Sequence, residues 1–330
     1  LNKGLTRANA DIIPQEFNGL YTQHLDGAGY STLEAYNSSE VVVDLRGATL
    51  NEANLETGSE GIIENHGFAT DFFAPPKVFS DFVKGFYGNK FIQPNTEAVS
   101  AGRMGQRVKA FESQFGTINL NADIFMNRLP NKSSVSAATS TNAPATPAVG
   151  GAPLALTGAD NESKFVAADA GNYFYFVSAI NRFGESALLS LNAAAAAVTA
   201  GISVDLQFID GGGANAATGY RIYRSQKGAT SVATSVASPL YDISTAQLAN
   251  GYDGGAATKV RDRNRELPNT FSAFMIEQDP QIYAFRQLAP LMKMDLALIS
   301  TSFRFAVLLY GTPLLFAPKK MVRYKNIGVA

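Results

Sequence analysis

The 330-residue chain contains no cysteine. That single absence removes disulfide scaffolds, thiol catalysis and cysteine-based zinc sites together. Histidine is almost as scarce: His24 and His66 are the only two. Neither falls in an H-x-x-x-H or H-E-x-x-H pattern, so a metal or acid–base role lacks its partners, and a structural or surface role is expected for both. No run of 18 apolar residues occurs, which excludes a membrane-spanning helix. The opening stretch LNKGLTRANADIIPQEF lacks the charged-then-apolar layout of a signal peptide. The first residue is Leu1 rather than Met, so this reading expects upstream residues to have been removed by processing or to lie outside the sequence. Charge of either sign is also nearly missing as a net quantity. The formal balance is -1, which calls for neither a nucleic acid nor a membrane surface as partner of the whole chain.

What is present is an ordinary globular composition, with 46% hydrophobic and 17% charged residues. The length suggests about two domains. Residues 1–40 are turn-rich, with Gly19, Gly27 and Gly29, and read as an extended arm. Val41 to Leu45 has strand character. Thr49-Leu50-Asn51-Glu52 fits a capping box with Thr49 as N-cap, opening a helix that runs to about Gly67. Gly58 and Gly61 inside it each cost roughly 1 kcal/mol relative to alanine. Phe68 to Ala74 reads as a strand, and Pro75-Pro76 as the start of a helix presenting Phe79, Phe82, Val83 and Phe86 on one face. That aromatic stripe is a core face rather than a cofactor box. Alternation with period two over Ile118, Leu120, Ala122, Ile124 and Met126 predicts a half-buried strand.

Composition then changes. Asn131 to Pro153 is rich in Ser, Thr, Ala and Pro and reads as a linker at a domain boundary. Residues 154–258 look all-β, with strand formers at Tyr173–Ala179, Val204–Ile209 and Tyr220–Arg224. The alanine run Ala193–Ala197 lies between strand signals and is read as an edge segment. Residues 259–330 carry eleven Lys and Arg against five Asp and Glu. They begin with a basic connector, Arg261, Arg263 and Arg265. A helical pattern follows from Asp279 through Tyr283, Ala284 and Leu288 to Pro290. Two apolar strands around a Gly311-Thr312-Pro313 turn come next, then a stop at Pro318 and the basic residues Lys319, Lys320, Arg323 and Lys325. So apolar a chain end should be pinned into a sheet. Residues 41–130 and 259–330 thus read as two halves of one unit, with 154–258 inserted between them.

The search for chemistry gives bland answers. Gly211-Gly212-Gly213 has no third glycine at dinucleotide-loop spacing, no Lys-Ser/Thr, and no helix after it, so it reads as a β-loop. Gly184-Glu185-Ser186 is not a G-x-S-x-G elbow and reads as a turn. Asp160 and Glu162 could be imagined as an acid–base couple or calcium site, but the D-x-D-x-D-G spacing is absent. No catalytic, cofactor-binding or metal residue is assigned, and an enzyme is not expected.

Two resemblances emerge from these residues. Val41–Val83 and Asp279–Gly328 resemble the major capsid proteins of tailed bacteriophages. Thr70, Asp71, Phe73, Pro75, Pro76, Lys77 and Val78 match that group's T-D-x-F-x-P-P-K-V entry, and Phe115, Gly116 and Ile118 match its F-G-x-I strand. The likeness covers roughly 41–128 and 265–328. It implies an α+β shell fold shared by tailed phages, herpesviruses and encapsulins, with axial and peripheral domains, a spine helix, an extended loop and an arm. Too little chain precedes Val41 to hold the last three. Within the middle segment, YFYFVSAINRFGES (Tyr173–Ser186) and GYRIYRS (Gly219–Ser225) resemble strands of fibronectin type III-like domains, in reversed order. This implies an inserted immunoglobulin-like sandwich with rearranged strands, decorating the outer surface of a shell.

The expectation is therefore a structural protein of an icosahedral head enclosing a phage genome, located in the virion and, during assembly, in the host cytoplasm. Its partners would be copies of itself in hexamers and pentamers, with scaffold, portal, decoration proteins and packaged double-stranded DNA as further candidates, and no membrane. The basic residues Lys319, Lys320, Arg323 and Lys325 could face packaged DNA, acidic groups of a neighbouring subunit, or solvent. The alternative is a secreted β-sandwich adhesin, against which stand the missing signal peptide and the split apolar flanks.

Overall fold

The computed structural model of the protein describes residues 42–89, 108–126, 128–295 and 305–329. The arm expected over 1–40, with His24, lies outside them, as does the side chain of Phe86. The architecture is mostly β with few helices.

The chain opens with β1 (Val42–Asp44) and α1 (Glu52–Glu64). The N-cap of α1 is Asn51, not Thr49: its side chain accepts the Asn54 N–H at 2.9 Å. Leu50 before the cap and Leu55 in the first turn belong to the same core cluster, a hydrophobic staple that fixes where the helix begins. Its end is closed by two bonds, His66 N–H to the Ile63 carbonyl and Gly67 N–H to the Ile62 carbonyl. This is the Schellman pattern, with His66 at the left-handed position (φ 60) that glycine usually takes. The role of His66 is thus a backbone one. β2 (Asp71–Ala74) is shorter than Phe68–Ala74 predicts, and Phe68 is exposed. α2 (Pro76–Asn89) begins at its proline as expected, burying Val78 and Phe82. β3 (Ala110–Ser113) and β4 (Gly116–Ala122) form a hairpin. The predicted alternation through Met126 stops early, because Asp123 accepts the Phe125 N–H at 2.8 Å and turns Ile124–Met126 into a 3-10 turn.

The middle segment runs β5 (Lys132–Ser133), β6 (Ala148–Ala159), β7 (Gly171–Tyr173), β8 (Tyr175–Asn181), β9 (Gly184–Glu185), β10 (Leu189–Ser190) and β11 (Ala196–Val198). It continues with β12 (Ile202–Ile209), β13 (Gly219–Arg224), β14 (Val236–Ser244), α3 (Thr245–Asn250) and β15 (Lys259–Asp262). One sheet is ordered β10-β8-β13-β14-β5 and another β15-β12-β6, while β11 pairs with β7. The alanine run thus supplies an edge strand, as read from the sequence. Period-two alternation explains the core. Tyr175, Val177 and Ala179 of β8, with Tyr220 and Ile222 of β13, face Val204, Leu206 and Phe208 of β12 and Val260 of β15. Phe174, Phe176 and Tyr223 point the other way, into a smaller cluster. The segment 131–153, read as a linker, instead contributes β5 and the first half of β6. Pro153 lies in a bulge where β6 gains residues on β12 between the Val149–Phe208 and Leu154–Leu206 pairs. A proline that cannot donate is tolerated there.

The last segment holds β16 (Phe271–Ile276), β17 (Tyr283–Asp295), β18 (Phe305–Leu315) and β19 (Met321–Ile327). The main sheet is ordered β1-β19-β16-β2-β4-β3, with β1/β19 and β2/β4 parallel and the rest antiparallel. The terminal strand is therefore central, as its apolar content requires. Two expectations fail. The helical pattern from Asp279 is β17, because the segment pairs along its whole length with β18, and Pro290 falls in the irregular stretch between the Ala289 and Met292 pairs. The Gly311-Thr312-Pro313 turn does not form. β18 runs straight through it, and Gly311 leaves room for Phe285, whose ring would lie 2.6 Å from an added Cβ.

Candidate interaction surfaces

β17 and β18 pair only with each other among the described strands. At the base of this ribbon, Tyr283 and Leu315 pack against Met126, Phe274, Ile276 and Met321. Further out, Leu288 is 89% exposed, and Leu291, Met294, Phe305, Val307 and Leu309 are also exposed. Ile124 and Phe125, next to Met126 in the chain, are exposed as well. A lone two-stranded hairpin is marginal in water, and contiguous exposed apolar surface marks a contact site. The cations on the ribbon lie over its own rings, Arg286 over Phe316 at 5.7 Å and Lys293 over Phe305 at 5.0 Å. Sequence reading treated this stretch as apolar and therefore buried. Exposure on both faces of a two-stranded ribbon is a tertiary fact that alternation alone cannot reveal.

The basic residues of the chain end do not form a free patch. Arg323 is buried and bonded to Glu266, Lys325 lies 3.4 Å from Asp44, and Lys320 lies 3.5 Å from Glu277. Burial holds the Lys325 ammonium below its ordinary pKa, against the pull of Asp44. The three partners sit on other elements of the same chain, so Arg323, Lys325 and Lys320 are engaged within the subunit. Lys319 is exposed.

Glu185 is buried, not part of a simple exposed turn. It receives Ser178 Oγ at 2.6 Å, Tyr223 Oη and Arg221 Nη1, and lies 2.8 Å from Lys132 Nζ. Ser186 Oγ accepts the Ala179 N–H at 2.9 Å, so the Gly184-Glu185-Ser186 stretch is a hydrogen-bonding corner without a nucleophile's surroundings. Asp160 and Glu162 do come together, with Arg263 between them at 3.0 and 2.5 Å. Asp253 completes the cluster at 3.3 Å from Arg263. The Arg261, Arg263 and Arg265 connector is thus spent on carboxylates, Arg261 on Asp205 at 2.7 Å. Gly211-Gly212-Gly213 is an exposed loop between β12 and β13. No group of His, Asp and Glu that could hold a metal occurs among the described residues, and no described helix is long and apolar enough to cross a membrane.

The Ser203 hydroxyl above all, helped by the Glu162 backbone and Arg263, holds the Asp160 carboxyl at about 2, below its usual 3.8, against burial, the second-strongest influence. Because the folded value lies below the unfolded one, the stabilisation is complete above about pH 4 and is lost as pH falls toward 2. Urea unfolding of the wild type should therefore show stability declining across that window. Asp160→Asn should flatten the decline, and an unchanged slope would show that Asp160 does not carry it.

Comparison with known proteins follows the same direction. The family model described as SU10 major capsid protein matches residues 6–172. The major capsid proteins of Staphylococcus phage S25-3 and Staphylococcus phage K are each 28% identical over 315 residues, covering 93% of this chain and 64% of the relative. The putative major capsid protein of Enterococcus phage phiEF24C is 30% identical over 288 residues, covering 87% of this chain and 58% of the relative. The chain thus spans somewhat under two thirds of the length of these relatives. With that model matched over residues 6–172, half of its length, the chain belongs to the SU10 major capsid protein family.

Proposed function

We propose that this chain is the repeating structural subunit of a tailed-phage head, working by assembly and without catalysis. The observation that carries the reading is the β17–β18 ribbon, apolar and exposed on both faces, which no other described strand pairs with. In a shell, neighbouring copies would cover it through repeated heterologous contacts that close into rings. The main sheet, built from strands before β5 and after β15, is the split core of the shell fold in this reading. Residues 132–262 are then an inserted immunoglobulin-like sandwich on the outer surface. Hexamers and pentamers are the expected rings; scaffold, portal and decoration proteins and packaged DNA are partners at the level of the whole virion. The adhesin alternative accounts for the sandwich alone and leaves the ribbon and the family membership without a role.

The test is assembly itself. Electron microscopy of the purified full-length product should show closed shells or capsomer rings. The double substitution Leu288→Glu and Leu309→Glu should abolish them while leaving circular dichroism and melting unchanged, since both side chains are exposed. A dispersed monomer in the wild type under assembly conditions would sink the reading, as would normal shells from the double variant.

A further inference from the structure

Two chain crossings join residues 132–262 to the main sheet, one before β5 and one after β15. A third link is made by a single side chain. Arg46 lies in the turn after β1, in left-handed backbone (φ 50). Its Nη1 donates to the Asn264 carbonyl at 2.7 Å, and its Nη2 to the Lys164 carbonyl and to Asp169 Oδ2, both at 2.8 Å. The acceptors are themselves fixed. Asn264 Nδ2 donates to Asp169 Oδ2 at 2.7 Å, its Oδ1 accepts from Arg224 Nη2 at 2.8 Å, and its N–H donates to Asp262 Oδ1 at 2.8 Å. From there the network enters the sandwich core through the Tyr175 and Tyr241 hydroxyls on Asp262. On the other side, Asn326 donates to Asp44 Oδ1 at 2.7 Å and accepts the Leu267 N–H at 2.7 Å.

The backbone at this seam is unusual. Arg46, Asn264, Asn269 and Asn326 all hold φ between 50 and 65. Asparagine tolerates that region, whereas arginine does so only when its surroundings hold it there. An exposed ion pair would be a weak reason for it. Here two of the three acceptors are backbone carbonyls, and all three belong to segments that flank the same crossing, so a planar guanidinium reads them together in a way an ammonium cannot.

We propose that Arg46 is a positioning residue, a latch that fixes the 132–262 module at one orientation on the main sheet. Its release would free the module to swing without unfolding either part. The proposal rests on the inserted-module reading given above. On a closed shell, the latch sets one angle at which every copy presents the module.

The test is hydrogen–deuterium exchange on the full-length chain. Arg46→Ala should raise exchange about tenfold over residues 163–170 and 263–267, where charge-assisted bonds are lost. Protection in β8, β13, β16 and β19 should be unchanged. Arg46→Lys keeps the charge but not the fork, and should loosen the seam nearly as much. An unchanged seam in Arg46→Ala, equal loosening of the cores, or full rescue by lysine would each overturn the latch. Should Arg46→Ala fail to fold, Asp169→Ala removes the side-chain acceptor from the module side and is read in the same way. Replacing 132–262 by a short Gly-Ser linker separates the two ideas. Collapse of the main sheet in that deletion, together with a loosened seam in Arg46→Ala, would refute the insertion and leave the latch standing.

Discussion

Asp262→Ala should lower the unfolding free energy by about 3–5 kcal/mol, the range for breaking a buried ion pair by removing one partner. Asp262 is fully buried, as is Arg224. The carboxylate accepts from Arg224 Nη1 at 2.7 Å, from the Tyr175 and Tyr241 hydroxyls at 2.9 and 3.0 Å, and from the Asn264 N–H. Burial, reinforced by the neighbouring carboxylate, holds both tyrosines well above the usual phenol range, so they remain donors at any working pH. Alanine would leave a guanidinium and two hydroxyls without their acceptor in a site water does not reach, and each orphaned group adds its desolvation cost. Arg224 cannot easily escape, since it lies over the rings of Phe165 and Tyr173 at 5.4 and 5.3 Å. The double variant Asp262→Leu with Arg224→Met should recover part of the loss, because it removes the unpaired buried charge while the two tyrosine hydroxyls still lack their acceptor. Urea unfolding followed by tyrosine fluorescence reads both. A single-variant loss below about 1 kcal/mol, no more than an ordinary hydrogen bond, would show that solvent reaches the network.

Gly58→Ala is expected to destabilise, although helix propensity alone predicts the reverse. Alanine in the interior of α1 would gain about 1 kcal/mol over glycine. The added Cβ, however, would sit 1.8 Å from the Tyr324 hydroxyl oxygen and 2.7 Å from its Cζ. Tyr324 is buried, donates to the Asn54 carbonyl at 3.0 Å and meets Phe72 edge-on at 5.2 Å. Its ring has no free space to retreat into, and overpacking of this kind costs about 1–3 kcal/mol, to which the lost hydroxyl bond adds. The net effect should be a lower melting temperature for Gly58→Ala. In a Tyr324→Leu background the same substitution should become neutral or stabilising, because propensity is then unopposed. A stabilised Gly58→Ala in the wild-type background would show that α1 does not press on Tyr324.

That glycine illustrates what the sequence discloses and what it withholds. Local signals were legible where the cause is local. Pro76 and the Phe79/Phe82 spacing place α2, and the strand formers of Tyr173–Ala179 and Tyr220–Arg224 place β8 and β13. The cap of α1 was two residues off, because Thr49 and Asn51 both suit the role and the burial of Leu50 and Leu55 in one core decides between them. β17 was misread as a helix because Tyr283, Ala284 and Leu288 fit a helical period, while what makes it a strand is its pairing with β18, which a local period does not disclose. The candidate interaction surface suffered likewise. An apolar stretch in sequence does not say whether it will be covered by its own chain, as β19 is, or left bare, as the outer ribbon is. The basic residues at the end looked like a patch because Asp44, Glu266 and Glu277 are distant in sequence and adjacent only in the fold.

The central place of β19 also sets a timetable. β1 and β16 meet only through β19, a strand made after both. During synthesis strands β5 to β15 are all available before β16 emerges, so the middle of the chain can complete its hydrogen bonding while the main sheet stays open. Pairing over such separations is slow, and the waiting edges of β1 and β16 are exposed to other chains meanwhile. The main sheet therefore stays open until β19 has emerged, after all the other described strands.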